Sequence, residues 1–480
     1  RGCCSSSSLS GRHHTSGRAG VGLHHSFFEA DIIAVAEIAQ LYSGTYFHIF
    51  VGSEIEPQSY AMPGILNAEN TMQLPTLKEE DSYDLYAHSL TNSPLTPAMP
   101  TRLHNLPGFS IDQVAAAAGT DSDILRLENL DTDLRPPQAA IEATRIALER
   151  DADNSYLPFT GQWELRQAIA DKLHRSANAP YSPAQVVITC GATEAMLDAL
   201  LAVTDPGDEV ILTDPTYAGM IYRVRLAGAV PRLVPFRQQF GEWRLDVDAL
   251  QQAVSPRTKA VFILNPAMPC GAVLTLAEWQ AIAKICIERD LWLIYNAAFE
   301  RVLFDQRKVI HPAALPGMAG RTITLGSVSK EYGMIGWRVG WMAAPESIVA
   351  DLAKVHIYNV VTPVGISQAG ALAALQTDES EVLRRCRILE ERRDVVCEQL
   401  AEYAMIPAQG GWSQLVDVSP LGLTGQQASE RLLQKGKVAA TPMTHWGEVN
   451  AAQFVRLVFS NEPVERLQTL GRRFRAALGK

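Results

Sequence analysis

Ser327-Val-Ser-Lys330-Glu-Tyr-Gly-Met-Ile-Gly-Trp-Arg338-Val-Gly-Trp341 is the stretch on which the reading of this chain turns. It follows an apolar run, Arg321 to Leu325, that reads as a buried strand. Two serines, Ser327 and Ser329, flank the approach to the lysine, and Arg338 follows it in a glycine-punctuated loop. A lysine that forms an imine must be positioned and partly desolvated. Hydroxyls and a guanidinium beside it suit a phosphate. Residue types alone leave open both a phosphate-linked site and an ordinary surface lysine after a strand.

Working outward, the same alternation continues on both sides. Gln185 to Thr189, Glu209 to Thr213, Ala260 to Leu264, Leu291 to Tyr295 and Val339 to Ala343 read as short strands. Several are continuous apolar runs, as expected for strands covered on both faces. Helical patterns lie between them, one from Thr193 and another over Leu276 to Arg289. Strands alternating with helices imply a mainly parallel sheet in an α/β domain. Beyond it the pattern changes to long helices, Ser367 to Leu375 and Glu381 to Tyr403. Strand-like pieces at Ser413 to Val418 and Phe454 to Phe459 and a final basic helix follow, which reads as a smaller α+β domain.

The chain has 480 residues, 47% of them hydrophobic and 20% charged, with a formal net charge of −10. Such a length fits two or three domains of about 100–200 residues each. The acidic balance and the lack of a basic block argue against nucleic acid as a partner. The longest early apolar stretch, Phe27 to Val51, is interrupted by Glu29, Asp31 and Glu37, so no membrane span is expected. Seven scattered cysteines suit reduced core thiols and a cytoplasmic setting better than a disulfide framework. Cys3-Cys4 lacks a second pair at metal-ligand spacing, and no metal site is expected. Residues 1–25 are rich in Ser, Gly, His and Arg and free of Asp and Glu, a transit-peptide composition. The preferred reading is non-native or upstream-translated sequence, with Met99, after the proline-rich linker Asn92 to Pro100, as a candidate start. Gly17, Gly20 and Gly22 resemble a dinucleotide fingerprint only superficially, since no strand precedes them.

Four further segments carry chemistry. Gly191-Ala192-Thr193 opens a helix directly after a strand, where free N–H groups favour phosphate; an ordinary strand-to-helix turn is the plain alternative. Asp214-Pro-Thr-Tyr217 places an aromatic ring after the next strand. Tyr156 lies in Asn-Ser-Tyr156-Leu-Pro-Phe-Thr-Gly-Gln-Trp-Glu-Leu-Arg166. Arg456, in Phe-Val-Arg456-Leu-Val-Phe, suits bidentate pairing with a carboxylate, or is an edge residue of a strand.

Taken together and in this order, these motifs resemble the class I/II aminotransferases, which are fold type I pyridoxal-phosphate enzymes. The resemblance covers roughly residues 115–480. It implies a large domain with a mostly parallel, seven-stranded-type sheet between helices, plus a small α+β domain. Residues 1–98 would be an extension, 99–150 an N-terminal arm and part of the small domain, 151–362 the large domain and 363–480 the small one. Lys330 would be the Schiff-base lysine and proton shuttle, working by external-aldimine chemistry on an L-amino acid. Ser327, Ser329, Arg338 and the Gly191-Ala192-Thr193 turn would hold the cofactor phosphate, Tyr217 would stack on the ring and Arg456 would clamp the substrate carboxylate. Tyr156 would reach the cofactor of a second subunit, implying a homodimer with shared sites. Amino acids and keto acids would be the small-molecule partners.

Three positions depart from the family pattern, all at the cofactor ring. In Leu-Trp-Leu-Ile-Tyr-Asn296-Ala-Ala-Phe299, Asn296 replaces the Asp that holds the proton on the pyridine nitrogen, and Phe299 replaces a ring-hydroxyl Tyr. In Asn265-Pro-Ala-Met268-Pro-Cys-Gly271, Met268 replaces a second ring-hydroxyl partner. Neutral Asn offers a hydrogen bond but no opposite charge, so the ring becomes a weaker electron sink. Transamination therefore competes with two alternatives: a lyase, replacement or cyclising reaction of specialised metabolism, and a catalytically weak cofactor-binding protein. The side chain of the substrate is left open. No second Arg for an acidic substrate stands out, and Trp163, Tyr222 and Trp446 are candidates for an apolar pocket.

Overall fold

In the computed structural model, residues 103, 106–108 and 110–479 are described. The expectations for the cysteine and glycine motifs near the N-terminus, for Met99 and for residues 1–98 fall outside them. After a two-residue strand β1, Leu125–Arg126, eight strands build one sheet. They are β2 Val186–Thr189, β3 Glu209–Asp214, β4 Val230–Gln239, β5 Glu242–Leu245, β6 Thr258–Leu264, β7 Trp292–Asn296, β8 Thr322–Ser327 and β9 Gly340–Ala343. Their order is β2-β9-β8-β7-β6-β3-β4-β5. The pairs β3–β4, β3–β6, β6–β7 and β7–β8 run parallel, while β2–β9, β8–β9 and β4–β5 run antiparallel.

The central strands are covered on both faces, and most of their side chains are apolar or β-branched. All six positions of β8 and all of β3 are buried, as are Ala260 to Leu264 in β6. Helices cover both faces, including Ala192–Val203, Leu276–Glu288 and Glu346–Val360. The helix Leu276–Glu288 starts at a reciprocal cap, in which Thr275 Oγ1 accepts from Glu278 N–H and Glu278 accepts from Thr275 N–H. The sheet has one strand more than the expected seven. The addition is β5, which folds back on the end of β4 through Phe236 to Gln239.

A second, antiparallel sheet follows: β10 Ala404–Met405, β11 Ser413–Asp417, β13 Thr441–Pro442 and β14 Phe454–Val458, in the order β10-β11-β14-β13. Between them β12, Val438–Ala439, pairs in parallel with β1. The long helix Glu379–Gln399 ends earlier than its sequence pattern suggested, and Tyr403 lies beyond a turn with its N–H on the Leu400 carbonyl. Among the described residues, no helix is long and apolar enough to cross a membrane.

The sheet topology decides where chemistry gathers. Parallel strands β3, β6, β7 and β8 end at one edge, on Asp214, Leu264, Asn296 and Ser327. Strand β2, antiparallel to β9, points the same way and delivers Gly191 to that edge. In open α/β sheets, ligands bind in the crevice beyond these carboxyl ends.

Candidate active site

A cavity of about 230 Å³ opens at that edge. Ala192 and Thr193 line it from the turn after β2, and Tyr217 from the turn after β3. Met268, Asn296 and Phe299 line it from the ends of β6 and β7, and Ser327, Ser329, Lys330 and Arg338 from the segment after β8. Arg456, from the other sheet, closes the ring. Eleven of the thirteen residues singled out in the sequence thus meet at one cavity.

Gly191 supports the cavity from behind. Its φ is 77°, and a Cβ there would lie 2.7 Å from Arg338 Nη2. Only glycine lets the guanidinium lie against this turn. Gly340 repeats the logic from β9, since its Cβ would lie 2.4 Å from the Gly191 carbonyl carbon. Tyr156 is not in the cavity: it is 79% exposed and follows a short 3₁₀ turn, Asp151–Asn154.

Lys330 Nζ donates 3.0 Å to the Leu130 carbonyl and lies 4.6 Å from the centre of the Trp412 indole. Burial pushes its pKa down to about 7, with Arg338 and Arg456 adding in the same direction against Asp131. A substantial fraction of the amine is therefore unprotonated near neutrality, available as a base and nucleophile.

Arg456 sits in the middle of β14, paired through Leu415 on one side and Thr441 on the other, so it is not an edge residue. It is fully buried. Its Nη2 donates to the Glu128 carbonyl and to Thr441 Oγ1, and Trp446 stacks 4.7 Å from its Cζ. Its Nε has no partner among the described residues, and Nη1 reaches only the Met268 sulfur at 4.0 Å. Burial brings its pKa down to about 9, which still leaves it cationic at neutral pH. A buried cation with a free donor is a receptor for an anion.

Asn296 donates to the Met196 sulfur at 3.4 Å and accepts the Ala298 N–H at 3.1 Å. Phe299 meets Trp412 edge to face at 5.7 Å. Among the described residues, three basic side chains and no carboxylate line the cavity. Of the aromatic candidates, Trp446 does not itself line the cavity but packs 5.9 Å from Tyr217, which does. Tyr222 instead donates to the His445 carbonyl, and Trp163 is largely exposed under Arg166. Neither of those two lines the cavity.

A family model described as aminotransferase class I and II matches residues 123–474. The chain belongs to the class I and II aminotransferase family. It is 33% identical to the arginine–pyruvate transaminase of Pseudomonas aeruginosa over 347 residues, covering 71% of this chain and 87% of that one. It is 32% identical to the aspartate aminotransferase of Pyrococcus abyssi, covering 76% and 94% of the two chains. Its structure superposes on the N-succinyldiaminopimelate aminotransferase of Mycobacterium tuberculosis with a TM-score of 0.74 at 31% identity, over 78% of this chain and 99% of that one. The aminotransferase architecture expected from the sequence, fold type I, is thus present. Enzymes of this family generally depend on pyridoxal phosphate.

In this aminotransferase, several groups in contact with Lys330 and Arg456 carry no signal in the sequence. Trp412, beside the Lys330 amine, is a buried aromatic just before the strand Ser413–Asp417. Leu130 and Glu128 act through backbone carbonyls, which no residue type announces.

Proposed function

We propose that the chain is a pyridoxal-phosphate-dependent aminotransferase acting on an L-α-amino acid and a keto acid, with Lys330 as its reactive amine. The observation that carries this reading is the gathering of a desolvated Lys330, a cationic phosphate cradle and the underused Arg456 around one cavity.

The residues fit the cofactor at three of its poles. Arg338, Ser327, Ser329 and the helix start at Ala192 and Thr193 suit the phosphate. Tyr217 offers a ring face, and Lys330 lies within the same walls. At the fourth pole the fit is partial, because Asn296 offers no negative charge to hold a proton on the ring nitrogen. When bound, pyridoxal phosphate supplies an electrophilic carbonyl and a conjugated electron sink. Arg456 holds the substrate carboxylate through its guanidinium, whose buried Nε has no partner among the described residues. Lys330 Nζ, in its unprotonated form, receives the Cα proton and returns it. Phe299, Met268 and Trp412 keep water from the amine.

A second copy of the chain completes the unit in this reading. Tyr156, Phe159, Tyr358, Val361 and Val364 are exposed apolar side chains on two adjoining segments, tied by Thr362 Oγ1 on the Leu157 carbonyl. Such a patch suits an isologous contact, and Val361, a β-branched residue at φ 68°, turns the chain there.

The test is the absorbance spectrum of the purified protein with pyridoxal phosphate and a panel of amino acids. Loss of the yellow band with pyridoxamine phosphate and keto acid released supports transamination. A band that shifts and returns without pyridoxamine points to elimination or replacement. No band in cofactor-saturated protein, or one unaffected by Lys330→Ala, overturns the reading.

A further inference from the structure

Behind the cavity lies a buried acid–histidine cluster that no step above uses. Glu194 and Asp198 come from the helix Ala192–Val203, and His356 and Asn359 from Glu346–Val360. Glu194, Asp198 and His356 are all buried. One Glu194 oxygen accepts the Cys190 N–H at 2.5 Å. The other lies 2.6 Å from His356 Nδ1, and His356 Nε2 lies 2.8 Å from the Phe159 carbonyl.

The protons follow from the partners. A carbonyl only accepts, so Nε2 carries a hydrogen. Nδ1 faces an oxygen of a carboxyl group whose other oxygen already accepts an N–H. Glu194 and His356 Nδ1 share a proton between them, and His356 is held between that carboxyl group and the Phe159 carbonyl. Asp198 completes the surroundings: its Oδ1 accepts from Asn359 and its Oδ2 lies 4.0 Å from His356 Nδ1.

This is not the ordinary helix cap. Glu194 occupies the third helical position, from which an acid would reach back to the N–H of the capping residue, Gly191. The Gly191 N–H is instead donated to the Thr189 carbonyl at 2.8 Å. Glu194 reaches one residue further, to Cys190, whose carbonyl accepts from Arg338 Nη2 at 3.5 Å. The Cys190 peptide unit is held by Glu194 on its N–H side, and the carbonyl that links it to Gly191 is held by Arg338. Buried ion pairs recover little of their desolvation cost relative to apolar packing. What this pair supplies is direction.

We propose that Glu194 and His356 are positioning residues: they fix the Cys190–Gly191 turn so that Ala192 and Thr193 face the cavity as an anion-binding cradle, and they tie that cradle to the Phe159 segment. The inference rests on the reading of this turn as the phosphate end of the cofactor site. It places the effect on the phosphate alone. The Phe159 segment also carries Tyr156, so the same pair joins the cradle to the exposed apolar patch.

The experiment uses the full chain freed of cofactor, with affinities measured for pyridoxal phosphate, pyridoxal and inorganic phosphate. Glu194→Leu is expected to weaken pyridoxal phosphate and inorganic phosphate by the same factor, ten- to a hundredfold, and to leave pyridoxal unchanged. Glu194→Gln, which still accepts the Cys190 N–H, is expected to restore binding to within a few-fold of the starting protein. Should Glu194→Leu not fold by circular dichroism, His356→Gln carries the test with the same selective loss. Equal losses for pyridoxal and its phosphate, or no loss in the folded variants, overturn the inference. Failure of the unaltered protein to bind pyridoxal phosphate would instead overturn the proposed function.

Discussion

The amine of Lys330 lies 4.6 Å from the centre of the Trp412 indole ring. A cation over an aromatic face gains about 0.5–2 kcal/mol. Yet the pKa of Lys330 falls from 10.5 to about 7, with burial the largest cause. A shift of that size corresponds to roughly 5 kcal/mol against the charged form. Loss of water therefore outweighs attraction to the ring, and Trp412 acts mainly as a wall.

Lys330 should therefore react with pyridoxal phosphate in a pH-dependent way. Below its pKa the amine is protonated and carries no lone pair for attack. Borohydride trapping after brief mixing should accelerate about tenfold per pH unit up to roughly pH 7 and then level off. Trp412→Ala admits water, favours the charged amine and should move the break upward by at least about one pH unit. A break that does not move would show that other groups desolvate Lys330.

The difference between what the sequence discloses and what it conceals lies in the kind of atom involved. Strands β6, β7 and β8 are legible because both faces are buried, leaving apolar runs that nothing else explains. Strand β4 is not, because Pro231 and Pro235 interrupt it. Prolines argue against a central strand, and these are tolerated because β5 pairs only with residues 236–239, beyond both of them. The same contrast holds in the site. Lys330, Arg338 and Arg456 declare themselves as charges in apolar or glycine-rich company. The Leu130 carbonyl that receives Lys330 belongs to the backbone, and its placement depends on β1 pairing with a strand more than three hundred residues away.

Arg456 is placed for binding rather than for stability. Its buried Nε lacks a partner, so the fold bears a desolvation cost that only an anion relieves. Arg456→Met should leave the melting temperature of the ligand-free protein unchanged or higher. The same change should weaken an α-amino acid by about a hundredfold or more, the loss expected on removing a charge-assisted carboxylate pair. Amines without a carboxylate should be unaffected. A fall in stability with unchanged amino-acid binding would make Arg456 a structural residue.

Asn296 leaves the cavity without a negative charge among its described lining residues. Asn296→Asp would add one among Lys330, Arg338 and Arg456. It should raise the Lys330 pKa above about 7 and, in the proposed site, stabilise a protonated cofactor ring. Exchange of the substrate Cα hydrogen with deuterated solvent should then quicken by about tenfold. Slower exchange would indicate that the neutral Asn296 is tuned for the native reaction.

A buried network beneath the site sets a pH dependence of stability. Glu300 follows Phe299 and Glu331 follows Lys330; Glu331 pairs with Lys172 at 3.2 Å, and Tyr295 donates to Glu300 at 3.1 Å. Burial raises the Glu300 pKa from 4.5 to about 7, opposed by Lys172 and reinforced by Glu331. Between those values the folded chain holds a proton that the unfolded chain has released. This group's contribution is therefore complete below pH 4.5 and is lost as pH rises through about 7. The full effect is on the order of 3 kcal/mol. Neighbouring His311 works in the opposite sense, since burial lowers its pKa to about 3 and favours the fold at higher pH. The difference between parent and variant across pH isolates Glu300, because the His311 contribution is common to both. Glu300→Gln should lack the loss that Glu300 imposes on the parent between pH 5 and pH 8, so urea unfolding should shift in the variant's favour by about 2–3 kcal/mol over that range. Lys172→Met removes the cation that favours the Glu300 carboxylate, so it should steepen that loss. Parallel profiles for all three proteins would exclude Glu300 as the titrating group.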